Sequence, residues 1–211
     1  MFFRQKQSRK KVSAARTFCA AALVFPGLTQ YSKVRKTQTE LLTGVHTVDI
    51  TLQDFERAQQ RLKGVLHHTE LDLSATFSAM TGGNIYLKYE NSQKTGSFKI
   101  RGASNKIAAL VERGATGAVV ASSAGNHAQG VAYAAHRFGI PATIVMPKTA
   151  PIAKAKATEG YGATVVLAGD CYDDAYAKAC EICEQEHATF LHPYNDPEVI
   201  AGQGTLGLEI L

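Results

Sequence analysis

From residue 117 onward the chain repeats one rhythm: a short apolar run, a break, then a longer stretch of helical spacing. GAVVASS (117–123) precedes AGNHAQGVAYAAHRFG (124–139), and ATIVMP (142–147) precedes APIAKAKATEGYG (150–162). ATVVLAG (163–169) precedes DCYDDAYAKACEICEQEH (170–187), and ATFLHPY (188–194) precedes PEVIAGQGTLGLEIL (197–211). Four strand–helix pairs in succession predict an α/β fold with a parallel sheet, because each return to a parallel neighbour needs a crossover. The strands are apolar without alternation, which suits burial on both faces.

Upstream, DITLQDFERAQQRLKG predicts a helix capped by Thr51, and NIYLKYE (84–90) predicts a strand. SFKIRGASNKIAALVER (97–113) sets Ile100, Ala103, Ile107 and Leu110 at helical spacing. The body is therefore residues 48–211. Residues 1–47 are of another kind. Residues 1–39 hold nine of the 23 Lys and Arg and no acid, so the rest carries 14 basic against 18 acidic residues. The basic character belongs to the tail and does not make the body a nucleic-acid binder. FCAAALVF (18–25) is too short to span a bilayer. A disordered extension and a targeting peptide both remain open for this segment. The expected location is cytoplasmic, with organelle targeting as the alternative.

Two stretches carry chemistry. SSAGNHAQG (122–130) lies after a strand and opens a helix, where exposed backbone N–H groups at Ser122, Ser123, Gly125 and Asn126 suit an anion. It lacks the Walker and G-x-G-x-x-G patterns, so a nucleotide is not indicated. An ordinary Ser/Asn-rich turn fits it equally well. In TGSFKIRG (95–102), Lys99 sits among glycines and apolar residues. A desolvated lysine is a usable nucleophile or base and can form a Schiff base. A lysine snorkelling from an amphipathic helix is the plain reading. Cys180 and Cys183 read as half-buried helix cysteines, with no metal set around them. Asp170, Asp173 and Asp174 read as helix capping.

Together KYENSQKTGSFKIRGA, SAGNHAQG and GQGTLGLEI resemble the β-family, or fold type II, pyridoxal-phosphate enzymes of tryptophan-synthase-β-like fold. Within that family the chain looks most like the threonine/serine dehydratases, from about residue 48 to 211. The resemblance implies that Lys99 carries pyridoxal 5'-phosphate, with Phe98 beside the pocket and Asn126 on the ring hydroxyl. It implies that Ser123, Ala124, Gly125, Asn126 and His127 bind the substrate carboxylate. Freed Lys99 would then take the Cα proton, the β-hydroxyl would leave, and L-threonine would become 2-oxobutanoate, or L-serine pyruvate. No metal, nucleic acid or membrane is implied, and a homo-oligomer is expected at full length.

Related serine racemases carry a serine where this chain has Ala124, which favours elimination over racemisation. Synthases of the family carry threonine where this chain has His127. Glu70 replaces a proline usual in the family after Thr69, which puts the local loop geometry in question. The glycine-rich phosphate loop and the Ser or Cys that faces the ring nitrogen are absent from residues 1–211. The chain thus reads as the N-terminal part of a dehydratase, and a non-catalytic remnant of the fold is the competing reading. The helix at 197–211 is expected to expose Ile200, Leu206, Leu208 and Ile210, leaving the isolated chain poorly stable.

Overall fold

The computed structural model describes residues 2–5, 50–115 and 117–211. Strands β1 (Phe2–Gln5), β2 (Leu71–Leu73) and β3 (Asn84–Lys88) form an antiparallel sheet in the order β1-β3-β2. Phe2 pairs with Leu87, and Leu71 with Lys88. β1 falls within the segment read as an extension. The apolar run at 18–25 lies outside the described residues.

Helix α1 (Leu52–Arg61) starts at Thr51, whose backbone N–H and hydroxyl both donate to Asp54 Oδ2, at 2.8 and 2.7 Å. A short helix, α2 (Ala75–Thr81), was not expected. Ser74 caps it by accepting from the Phe77 amide, and Gly82 ends it at φ 66°.

The second sheet is parallel, in the order β6-β5-β4-β7: β4 (Val119–Ser122), β5 (Ala142–Met146), β6 (Thr164–Leu167) and β7 (Thr189–Phe190). Val119 pairs with Ala142 on one side and with Thr189 on the other. Helices α3 (Lys99–Glu112), α4 (Asn126–Phe138), α5 (Ile152–Gly160), α6 (Tyr172–Glu186) and α7 (Pro197–Ile210) follow the strands or flank them. Alternate residues of the central strands enter two cores. Val119, Ala121, Ile144 and Met146 join Ile107, Ala128 and Val131 on one face. Val120 and Val145 meet Ala175, Ala179 and Ile182 of α6 on the other. Two-sided burial explains the absence of polar alternation in β4 and β5.

Some expectations need correction. β6 is an edge strand with partly exposed residues, not one buried on both faces. The strand at 188–194 shrinks to Thr189–Phe190, because the chain turns at His192–Asn195. The helix at 97–113 begins at Lys99, two residues late. Asp174 Oδ2 accepts from the amides of Asp170 and Cys171, as capping requires, and Cys180 and Cys183 are free and half-buried. At Thr69–Glu70 the loop is tied down by Thr69 Oγ1 donating to Glu90 at 2.7 Å and Tyr89 N to the Glu70 carbonyl at 3.1 Å. On α7, Ile200 is exposed, and Leu206, Leu208 and Ile210 are half-buried.

Candidate active site

From β4 the chain moves through β5 to β6 on one side, then returns to place β7 on the other side of β4. β4 is therefore the point where the order reverses, and in open α/β sheets the ligand crevice lies beyond the carboxyl ends of the strands at such a point. Two loops border it: 123–125 after β4 and 191–195 after β7. His127 Nε2 lies 3.1 Å from the Leu191 carbonyl and joins them.

Lys99 reaches this crevice from the start of α3. Its Nζ donates to the carbonyl oxygen of Pro193 at 2.9 Å. The side chain is half-buried, and loss of water lowers its pKa below the ordinary 10.5. The Phe98 ring is 42% exposed, with its centroid 5.6 Å from Nζ.

In the loop after β4, Ser123 Oγ accepts from the Gly125 amide at 3.2 Å. Gly125 provides no capping side chain, so the first amides of α4 stay available. Asn126 is exposed, and Ser123, Ala124 and Gly125 are half-buried. His127 is buried. Burial pushes its pKa down to about 4, the Leu191 carbonyl opposes this in part, and Lys99 and His192 add to it. A neutral ring donating from Nε2 leaves Nδ1 as an acceptor, and this atom has no partner among the described residues. Ser97 Oγ and Ser122 Oγ are likewise buried and unpaired.

Close helix contacts bring Lys99 to the loop. A methyl group on Gly130 of α4 would stand 3.2 Å from the backbone of Lys99 and Ile100, so glycine lets α4 lie this near α3 without either backbone having to shift by a few tenths of an ångström. At the crossing of α3 and α7, a methyl on Gly102 would meet Val199 O at 2.7 Å, and one on Gly202 would meet Arg101 O at 2.6 Å. Phe98 gives α3 no side-chain cap, but Gln203 Oε1 accepts from the Gly102 amide at 3.2 Å.

Arg101 is fully buried and holds two carboxylates. It donates to Glu90 at 2.7 and 2.8 Å and to Glu209 at 2.5 and 3.0 Å. Lys88 pairs with Glu209 at 2.7 Å and donates to the Thr69 carbonyl. Burial alone would lower the Arg101 pKa, but the hydrogen bonds to Glu90 and Glu209 outweigh it and raise the pKa. Glu209 sits below its ordinary value because Arg101 and Lys88 outweigh its burial. This network ties two of the three sequence motifs together, two residues from Lys99. Sequence reading missed it, along with Gln203 and the Pro193 carbonyl. A charge at each motif's interior was the available signal.

Residues 63–211 match the family described as pyridoxal-phosphate dependent enzyme. The chain is 60% identical over 162 residues to L-threonine ammonia-lyase of Thermotoga maritima, covering 77% of this chain and 40% of that protein. It is 49% identical over 166 residues to the catabolic L-threonine dehydratase TdcB of Escherichia coli, covering 79% and 50%. Maize serine racemase superposes with a TM-score of 0.73 at 38% identity, covering 78% of this chain and 50% of that one. The chain spans half or less of the length of these relatives.

Proposed function

We propose, from the premise that this chain belongs to the pyridoxal-phosphate dependent enzyme family, that it provides the reacting lysine and the carboxylate loop of an L-threonine ammonia-lyase. The product is 2-oxobutanoate with ammonia, and L-serine would give pyruvate. The observation that carries this reading is that Lys99 Nζ and His127 Nε2, at the start of α4, both bond carbonyls of the loop after β7, those of Pro193 and Leu191.

The residues present fit the cofactor. Lys99 has an amine that burial inclines toward the neutral form, and Asn126 offers an exposed amide side chain. Lys99, Phe98 and Asn126 would hold it. When bound, pyridoxal phosphate supplies an electron sink for negative charge at the substrate Cα. Lys99 Nζ then serves as general base for the Cα proton, and its lowered pKa favours the free amine that the task needs. The backbone amides across Ser123, Ala124, Gly125, Asn126 and His127 orient the substrate carboxylate. Racemisation needs a proton donor on the opposite face of Cα, and the methyl of Ala124 carries no transferable proton. Cytoplasmic location and homo-oligomeric assembly belong to the same proposal. Among the described residues no helix is long and apolar enough to cross a membrane.

The test is a visible-absorption titration of the chain with pyridoxal phosphate, beside Lys99→Ala, followed by an assay for 2-oxobutanoate from L-threonine. A band lost in Lys99→Ala, with product formed, supports the reading. No Lys99-dependent band points to the fold kept without turnover.

A further inference from the structure

Gly125 is where the carboxylate turn meets α4, and a charge stands beside it. A methyl group built on Gly125 would find one heavy atom within 4 Å, the Nζ of Lys154 at 3.9 Å. Lys154 is exposed, near the start of α5. Its backbone is anchored: fully buried Thr158 donates through Oγ1 to the Lys154 carbonyl at 2.8 Å. The next residue, Ala155, rests against the same apolar cluster as Ala124. Among the described residues Lys154 joins no ion pair. Its ammonium therefore has no counter-charge among the described residues while it stands beside Gly125, where the first amides of α4 favour an anion.

We propose that Lys154 is a specificity-determining residue whose ammonium pairs with the substrate α-carboxylate at the 123–127 loop; this rests on the dehydratase reading above. Charge balance supports the pairing. The start of a helix offers about half an elementary charge, and a carboxylate brings a whole one. A cation at the open side of Gly125 supplies the remainder. An ammonium–carboxylate hydrogen bond is also stronger than one between neutral groups. Substrates lacking the α-carboxylate, such as amino-acid amides, gain nothing from Lys154.

The test titrates the chain with sodium acetate while the amide signals of Gly125, Asn126 and His127 are followed by NMR. It compares wild type, Lys154→Gln and Lys154→Arg, and adds KM and kcat for L-threonine with pyridoxal phosphate present. Lys154→Gln is expected to weaken acetate binding and raise KM by roughly tenfold with kcat little changed, while Lys154→Arg stays close to wild type. Equal acetate affinity in wild type and Lys154→Gln overturns the proposal. Acetate binding that needs Lys154, without 2-oxobutanoate from L-threonine, keeps this site and sinks the dehydratase reading. Turnover with a KM indifferent to Lys154→Gln does the reverse.

Discussion

Lys99 Nζ donates to the carbonyl oxygen of Pro193 at 2.9 Å, so this amine is held by a backbone acceptor rather than a carboxylate. Among the described residues no acid raises the amine's pKa, and burial lowers it below 10.5. The rate of L-threonine turnover, if limited by a free amine at Lys99, should rise with pH through a midpoint below the free-lysine value. A profile of kcat/KM against pH measures it, and a midpoint at or above 10.5 would contradict the assignment.

Arg101→Met should be severely destabilising. It leaves Glu90 and Glu209 without their buried guanidinium, at a cost of roughly 3–5 kcal/mol. Urea denaturation followed by circular dichroism reads this. A loss below about 1 kcal/mol would mean that the network contributes little.

Two glycines of related sequence context should behave oppositely. Gly102→Ala drives a methyl into Val199 O and should cost roughly 1–3 kcal/mol. Gly207→Ala meets nothing within 4 Å and should stabilise α7 by about 0.5 kcal/mol. Melting temperatures of the two variants, compared with wild type, decide the matter.

His127 links stability to pH. Its folded pKa of about 4 lies below the unfolded value of 6.5, so the unfolded chain binds the extra proton between those values. The contribution is fully present above pH 6.5 and is lost as pH falls toward 4, at most roughly 3 kcal/mol. His127→Gln keeps a donor for the Leu191 carbonyl but does not titrate. Denaturation midpoints at pH 7 and pH 4.5 should therefore differ less in that variant than in wild type.

Ala124→Ser places a hydroxyl at the position occupied by serine in related racemases. Recovered L-serine should then contain more of the D-enantiomer than with wild type, as chiral chromatography would show. Unchanged enantiomeric purity counts against a proton-transfer role for position 124.

Much of the frame was legible because it obeys local rules. Thr51 announces its helix by the bonds its amide and hydroxyl exchange with Asp54. The parallel sheet shows in four apolar runs. What escaped was short or distant. Leu71–Leu73 is a strand of three residues, too short for its alternation to stand out, and Ala75–Thr81 spans only two turns. Lys99 and the 123–127 loop were visible as motifs, but their junction runs through the carbonyls of Pro193 and Leu191. No local pattern reports that Arg101 and Glu209 face one another, because tertiary packing alone decides it.

The Arg101–Glu209 contact also has a meaning in time. Glu209 follows Arg101 by 108 positions, so a nascent chain carries the guanidinium long before its second carboxylate exists. Closing so long a loop is slow and entropically costly. Arg101 is therefore synthesised early but acquires its full set of partners late, and the close packing of Gly102 against α7 waits for the same docking.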